Sequence, residues 1–156
     1  MSWRARRLRV TQCVQQGNCP VSGPVKETVN VTVPVNTDAS GQTVYLAGNL
    51  SALGLGQSDW AANGIPMTRV SATKWTATID SAANTTLSYK YGLGGSWNNV
   101  EKDADCADIG NRTMSVNGGT ASGCGYVGNR NFGFNTADAT YTANDTVANW
   151  QGFGGC

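Results

Sequence analysis

The chain of 156 residues contains no histidine, and only 13% of its residues are charged. Without histidine, the usual general base and the commonest metal ligand near neutral pH are missing. No two cysteines have C-x-x-C spacing, which argues against a zinc or thiol redox site. No apolar run approaches the ~18 residues that a transmembrane helix needs. We therefore expect no cofactor, no membrane segment and no small hydrolase.

The charges that are present lie unevenly along the chain. Arg4, Arg6, Arg7 and Arg9 supply four of the eleven positive charges, whereas residues 11–156 carry seven positive and ten negative charges. Binding to nucleic acid requires a basic surface that neutralises phosphates. A mildly acidic body therefore disfavours nucleic acid as a partner.

Length and composition predict one β-rich domain preceded by a tail. A chain of this length corresponds to a single domain, and its 20 glycines with abundant Thr, Asn, Ser and Val favour short strands and turns. The first ten residues are basic, and glycine and proline are frequent from there to residue 24. We predict a poorly ordered tail and linker over 1–26 and a domain over 27–156.

Alternating apolar and polar residues predict the strands of this domain. At residues 86–91, for example, Leu87, Tyr89 and Tyr91 lie on one face and Lys90 on the other. Strands are predicted over 29–35, 43–47, 65–70, 74–79, 86–91, 97–102, 112–116 and 146–150. Eight short strands spaced by about a dozen residues indicate an antiparallel sandwich, with Tyr45 and Tyr89 in its core. Residues 117–143 break this rhythm and are predicted to be a long irregular insertion before the last strand.

The five cysteines favour an exported protein with disulfides, since low charge and many hydroxylated residues accompany them. Our hypothesis pairs Cys106 with Cys124 and Cys13 with Cys19, which leaves Cys156 unpaired. Pairing of Cys13 or Cys19 with Cys156 is an alternative, because sequence alone does not determine connectivity.

Trp97, which follows a glycine turn, and Lys90, on the strand before it, suggest carbohydrate binding. Trp offers a flat apolar face for the C–H groups of a sugar ring, and Lys can hydrogen-bond to hydroxyl groups. Each tryptophan also has a structural alternative. Trp75 alternates with other apolar residues and Trp150 lies on an apolar final strand, so both are candidates for the core.

Four acidic residues, Glu101, Asp103, Asp105 and Asp108, follow Trp97 closely. Carboxylates suit calcium, but their spacing is not that of an EF-hand loop. A glycosidase needs two carboxyl groups on opposite sides of a cleft. Four acids in one loop offer no opposing side, so neither calcium binding nor catalysis is the favoured interpretation.

Seven short motifs occur in an order that resembles the starch-binding domain superfamily, the carbohydrate-binding modules of families 20 and 48 and their relatives. The motifs are Val44 to Leu50 with Leu53-Gly54, Ile65-Pro66-Met67, Trp75 to Thr78, Leu87 to Tyr91, Gly95-Ser96-Trp97 with Val100-Glu101, Asn111-Arg112-Thr113, and Asn144 to Trp150. The resemblance covers roughly residues 27–150. It implies an immunoglobulin-like β-sandwich of seven to eight strands that binds α-1,4-glucan without cleaving it.

The resemblance also implies a set of ligand-binding residues. The family's main site combines two tryptophans, a lysine and an asparagine, and Lys90, Trp97 and Asn111 match three of these. The other tryptophan usually lies two residues after Leu-Gly, where this chain has Gly56, so Trp60 is its predicted replacement. The full predicted set is Trp60, Trp75, Lys90, Trp97, Glu101 and Asn111.

Trp75 matches a tryptophan of a second site in some family members. The tyrosine that accompanies it is missing, because residues 37–42 contain no aromatic residue. A complete second site is therefore not predicted.

The sequence thus predicts a secreted, monomeric, noncatalytic module that binds α-1,4-glucan, as starch, amylose or malto-oligosaccharide. It would hold an attached amylolytic enzyme on raw starch. Two alternatives remain open at this point: a structural β-sandwich spacer of a secreted glycoside hydrolase, and a module that binds a different polysaccharide.

Overall fold

The computed structural model describes residues 18–20, 25–81, 85–116, 120–122 and 142–156. These residues form twelve strands, one short α-helix and two 3₁₀ helices. In chain order they are β1 (Asn18–Pro20), β2 (Val25–Thr32), α1 (Asn36–Ala39), β3 (Val44–Gly48), η1 (Leu50–Leu53), β4 (Ile65–Pro66), β5 (Thr68–Ser71), β6 (Lys74–Ser81), β7 (Thr85–Leu93), η2 (Trp97–Asn99), β8 (Glu101–Lys102), β9 (Arg112–Val116), β10 (Thr120–Ser122), β11 (Thr142–Thr146) and β12 (Asn149–Trp150). Over this part of the chain, no helix has the length and apolar character to cross a membrane.

Two four-stranded sheets build the domain, with strand orders β11-β2-β6-β5 and β4-β3-β7-β9. Neighbouring strands in them run antiparallel, except that β11 pairs with β2 in parallel. Two antiparallel pairs, β12 with β8 and β1 with β10, complete the described pairing. The predicted all-β antiparallel sandwich is confirmed, and seven of the described strands have four or more residues.

The core lies between the two four-stranded sheets and follows the predicted alternation. β6 contributes Trp75, Ala77 and Ile79, which are at most 6% exposed. On β7, Leu87, Tyr89 and Tyr91 are also buried, whereas Lys90 lies on the outer face and is half-buried. Tyr45 differs from its prediction. It is half-buried on the outer face because its neighbours Val44 and Leu46 point inward.

Three predicted strands are divided in the structure. The segment 65–70 forms β4 and most of β5, which belong to different four-stranded sheets. The segment 97–102 consists of η2 followed by β8, and the segment 146–150 contains the end of β11 and the whole of β12. The predicted tail over 1–26 and the insertion over 117–143 lie largely outside the described residues. The described parts of these two segments include β1 and β10, which pair with each other, and the start of β2 at Val25.

A buried ionic cluster around Arg112 joins the two sheets at one end of the sandwich. The Arg112 guanidinium donates to both carboxylate oxygens of Glu101, with Nη2 2.7 Å from Oε2, and its Nη1 lies 3.4 Å from Oδ1 of Asp145 on β11. Glu101 is fully buried and also accepts the backbone N–H of Tyr91 at 2.9 Å. The cluster therefore connects β8, β9 and β7 to β11 of the opposite sheet.

Two tyrosine hydroxyls complete the polar contacts of Asp145. Tyr89 and Tyr91 both donate to its Oδ2, at 2.6 and 2.8 Å, and their rings meet edge to face with centroids 5.7 Å apart. Burial, followed by the interactions with Asp145, raises the pKa of both hydroxyls far above the ordinary tyrosine value. Burial alone would lower the pKa of Arg112, but hydrogen bonds and charge from Glu101 and Asp145 raise it overall. Both phenols thus stay protonated as donors.

The disulfide of the described residues joins Cys106 to Cys156, with Cα atoms 5.4 Å apart. The predicted pairing of Cys106 with Cys124 is wrong. Pairing of β12 with β8 sets Trp150 against Glu101, and the turn after Trp150 then brings Cys156 back to the loop that follows β8. The alternative pairing of Cys156 with Cys13 or Cys19 is wrong as well, and Cys156 is not unpaired. The predicted Cys13–Cys19 pair involves Cys13, which lies outside the described residues, as does Cys124.

Glu101→Gln should destabilise the fold strongly. The substitution keeps the size of the side chain but places an amide N–H group against the Arg112 guanidinium and leaves that cation underpaired. Removing one partner of a buried ion pair costs about 3–5 kcal/mol. Chemical denaturation should show a loss of this size in the free energy of unfolding.

The control for this substitution is Asp108→Asn. Asp108 pairs with Lys102, which holds the pKa of that carboxyl below its ordinary value, but Asp108 is 83% exposed. Exposed ion pairs contribute little to stability. The denaturation midpoint should therefore hardly move, and equal losses in the two variants would contradict the central role of the Arg112 cluster.

The double variant Cys106→Ser/Cys156→Ser should lower the free energy of unfolding by about 2–4 kcal/mol, because the bond closes a long loop in the unfolded chain. The two cysteines are separated by 50 residues in sequence. Denaturation of both forms measures this loss. Peptide mapping of the unreduced protein should recover a fragment that links Cys106 to Cys156, and a Cys106–Cys124 fragment would contradict the pairing.

Candidate functional site

Trp97 is presented by a tight turn at the end of β7. Gly94 and Gly95 both adopt left-handed backbone conformations, with φ of 71° and 70°, which glycine permits without a steric penalty. The N–H of Gly94 donates to the carbonyl of Thr43 at 2.8 Å, which fixes the turn to β3. The hydroxyl of Ser96 then accepts the N–H of Asn98 and caps η2. Trp97 is the first residue of η2 and is 40% exposed.

Trp60 projects from the loop between η1 and β4. Its φ of 52° lies in the left-handed region, which costs a residue other than glycine of order 1 kcal/mol or more. The N–H of Trp60 donates to the carbonyl of Gly48 at 2.7 Å, and two hydrogen bonds from Ser51 to the carboxylate of Asp59 hold the preceding loop. These contacts keep a strained, half-buried residue in one place. Strain that is held in this way is typical of functional positions.

The two tryptophans meet although they come from separate loops. Their ring centroids are 6.4 Å apart and the ring planes are inclined by 40°. Close contact between the two loops depends on Gly95, since a Cβ there would lie 3.1 Å from Cβ of Asn63 and 3.6 Å from the ring of Tyr45. A side chain at this position would push the Trp97 turn away from the Trp60 loop. The result is one partly exposed aromatic surface with two inclined faces, which we call the Trp60–Trp97 surface.

Lys90 and Asn111 supply polar groups on the same sheet. Lys90 lies on the outer face of β7, and its ammonium group donates to the carbonyl of Ile109. Tyr89 pairs with Arg112, and continuing this antiparallel register by one residue places Asn111 beside Lys90. Asn111 is exposed. Because an ammonium group has three donors, Lys90 keeps capacity for hydroxyl groups of a ligand.

The structure does not bring Trp75 and Glu101 to this site. Trp75 lies on the inner face of β6, opposite Val31, and is 6% exposed. Glu101 is fully buried in the Arg112 cluster, where its carboxylate is saturated by Arg112 and by the N–H of Tyr91. Neither side chain offers a surface that a sugar could contact. Trp150 is buried as well, and its indole N–H donates to the hydroxyl of Thr37 at 2.8 Å.

The acidic residues after Trp97 have structural partners. One carboxylate oxygen of Asp103 accepts the N–H groups of Asp105 and Ala107 and so closes the loop after β8. The Asp108 carboxylate pairs with Lys102. Among the residues that the structure describes, no three potential metal ligands come together.

Sequence reasoning missed the residues that assemble the site. Tyr45 and Asn63 lie under the Gly94-Gly95 turn, and both were assigned no role in binding. The only signal was the Gly-Gly pair itself, which marks a tight turn. Nothing local indicates which loop that turn will contact, because the contact depends on strand order.

Comparison with known proteins gives one family and several structural neighbours. The family model described as "Starch binding domain" matches residues 28–122. No curated protein matches the chain significantly.

Similar solved structures include two glucoamylases and one isolated module. A family 15 glucoamylase from Hypocrea jecorina is 26% identical and a glucoamylase from Hormoconis resinae 21% identical, each with a TM-score of 0.46 over 85% of this chain. The chain spans only 18% of either glucoamylase. The family 20 module of the maltotetraose-forming amylase from Pseudomonas saccharophila STB07 is 20% identical, with a TM-score of 0.35 over 76% of this chain and 98% of the module.

The family assignment follows from the family model, which covers well over half of the chain, including both loops that carry the exposed tryptophans. That family consists of noncatalytic modules whose ligand is a polysaccharide. This protein belongs to the starch binding domain family.

Proposed function

We propose that the protein binds α-1,4-glucan by stacking sugar rings on the Trp60–Trp97 surface. The observation that carries this proposal is the meeting of two indole rings from separate loops, with their centroids 6.4 Å apart. Trp97 is 40% exposed, and Trp60 is held beside it in an unfavourable left-handed backbone conformation. Burial of the C–H face of a sugar ring against an aromatic ring is favourable, and little rotamer freedom remains to be lost.

The angle between the rings favours a curved ligand. Two faces inclined by 40° can contact successive rings of a chain that turns, as helical amylose does. A flat ribbon such as cellulose would need coplanar faces. The shape of the Trp60–Trp97 surface therefore supports α-glucan over β-glucan as the ligand.

Lys90 and Asn111 are the proposed hydrogen-bonding residues. Lys90 lies on β7 and Asn111 directly precedes β9, and the continued register of these two strands places them beside each other. Each neutral hydrogen bond contributes only about 1 kcal/mol net, since water competes for the same groups. A shallow site of this kind should bind with a Kd between about 1 µM and 1 mM, and several sites along one polymer would raise the effective affinity.

In the same proposal, the module is secreted, acts as a monomer and holds an attached amylolytic enzyme on raw starch. The similarity to parts of glucoamylases and to an amylase-borne module is consistent with such an attachment. The Cys106–Cys156 disulfide is compatible with an oxidising compartment. Retention on the granule would raise the local concentration of substrate for the attached enzyme.

Trp97→Ala should abolish retention on raw starch and weaken binding of maltoheptaose by about 30-fold, because truncation of a central aromatic residue costs about 2 kcal/mol. Titration calorimetry and a granule pull-down measure the two effects. The wild-type chain should be retained on starch and pass through cellulose and chitin.

Two controls accompany this substitution. Trp97→Phe keeps a ring and should retain part of the affinity. Val70→Ala removes another exposed apolar side chain, 62% exposed on the opposite sheet, and should bind as the wild type does. Equal starch binding by Trp97→Ala would place the site elsewhere. A wild-type chain that binds no polysaccharide would instead favour a structural spacer of a glycoside hydrolase.

Trp60→Gly and Trp60→Ala should lose the same affinity but differ in stability. Both remove the ring, whereas only glycine relieves the left-handed backbone at φ 52°. The Gly variant should be more stable than the Ala variant by about 1 kcal/mol. Thermal or chemical unfolding of the pair measures this difference. Equal stabilities would show that the backbone at residue 60 is not strained.

A further inference from the structure

The chain after β12 runs back along the turn that carries Trp97. Residues 151–156, which we call the 151–156 segment, begin with Gln151, whose N–H donates to the carbonyl of Val100 at 2.9 Å. The side-chain amide of Asn99 donates to the carbonyl of Gln151 at 2.8 Å. The N–H and the carbonyl of Gln151 are therefore both hydrogen-bonded to residues that follow Trp97 closely in the chain.

Close approach continues at Gly152. This glycine has φ of 66°, and a Cβ there would lie 3.3 Å from the carbonyl oxygen of Asn98 and 3.4 Å from the amide nitrogen of Asn99. The segment thus packs directly on η2, the 3₁₀ turn that begins with Trp97. These contacts hold the C-terminal side of that turn together with the bridge between Val100 and Gly92 of β7.

The other end of the segment is covalently fixed. Cys156 forms the disulfide with Cys106, in the loop after β8. Three residues further along that loop, the carbonyl of Ile109 accepts the ammonium group of Lys90, and Asn111 follows. The 151–156 segment therefore connects the Trp97 turn to the loop that carries the polar residues.

We propose that the 151–156 segment is a positioning element of the glucan site and that Asn99 is its positioning residue. This inference rests on the proposed function. The segment does not contact sugar in the proposal. It holds Trp97 at its angle to Trp60, so that the Trp60–Trp97 surface is formed before ligand arrives. A preformed site avoids the loss of conformational entropy that would otherwise oppose binding.

The expected effect of Asn99→Ala is weaker binding of maltoheptaose by about fivefold, the value of one hydrogen bond of about 1 kcal/mol. Asn30→Ala is the matched control. Asn30 lies on the opposite sheet and its amide donates to Asn144 at 3.2 Å, so the same chemical change is made away from the site. It should leave the affinity for maltoheptaose unchanged even where it lowers stability.

A double-mutant cycle separates positioning from general destabilisation. In the Cys106→Ser/Cys156→Ser background, the segment is no longer anchored, so Asn99→Ala should weaken binding less than it does in the wild type. Additive losses would overturn the proposal. The same would follow if Asn99→Ala bound as tightly as the wild type.

The coupling between the two indole rings gives a readout that needs no ligand. Two indoles at 6.4 Å interact as an exciton pair, whose circular dichroism depends on the angle between the rings. Asn99→Ala should change this signal, and Asn30→Ala should not. A wild-type chain that binds no glucan would refute the proposed function and, with it, the predicted effect of Asn99→Ala on affinity. The circular dichroism would still decide whether the 151–156 segment holds Trp97. An unchanged signal in Asn99→Ala would overturn that positioning.

Discussion

The rest of the structure depends on the requirement that the buried Glu101 carboxylate be paired. A buried charge without a partner is strongly destabilising, and Arg112 meets this need with two donors while Asp145 binds the same guanidinium from the other sheet. The N–H of Tyr91 also donates to Glu101, which ties β7 to the cluster. On the inner face of β7, the hydroxyls of Tyr89 and Tyr91 donate to Asp145. Lys90, between these two residues, lies on the outer face. β7 thus contacts the Arg112 cluster from its inner face and carries Lys90 of the proposed binding site on its outer face.

The sequence predicted those properties that depend on neighbouring residues. Alternation along β6 and β7 identified the core residues and the outward position of Lys90, because the side chains of a strand point to opposite faces in turn. Glu101 looked like a ligand-binding residue, since an acid after an exposed tryptophan gives no sign of burial. Its true partner, Arg112, is eleven residues away, and the two come together because β7 pairs with β9 and Gly92 pairs with Val100. Non-local pairing of this kind leaves no local pattern.

The same limit explains the disulfide and the assembly of the site. Cys106 was assigned to Cys124 because that bond would close a loop near the predicted sugar site, yet the pairing of β12 with β8 brings Cys156 to the loop after β8, where it binds Cys106. Trp60 was predicted only as a replacement for a residue missing from a motif. Its meeting with Trp97 depends on Gly95, where the absence of a Cβ lets two distant loops touch. Each of these contacts is decided by strand order, which follows from the whole chain.

The site combines rigid support with shallow contact, and both properties suit a polymer ligand. Trp97 is supported by hydrogen bonds from its turn to β3 and to the 151–156 segment, and Trp60 by its N–H bond to Gly48. Rigid aromatic rings lose little entropy on binding, whereas their partial exposure limits the area that one oligosaccharide can cover. Weak binding at each encounter allows release, and repetition of the same unit along a glucan chain allows immediate rebinding. In the proposed function, a module built in this way would remain on a granule without being fixed to one point of it.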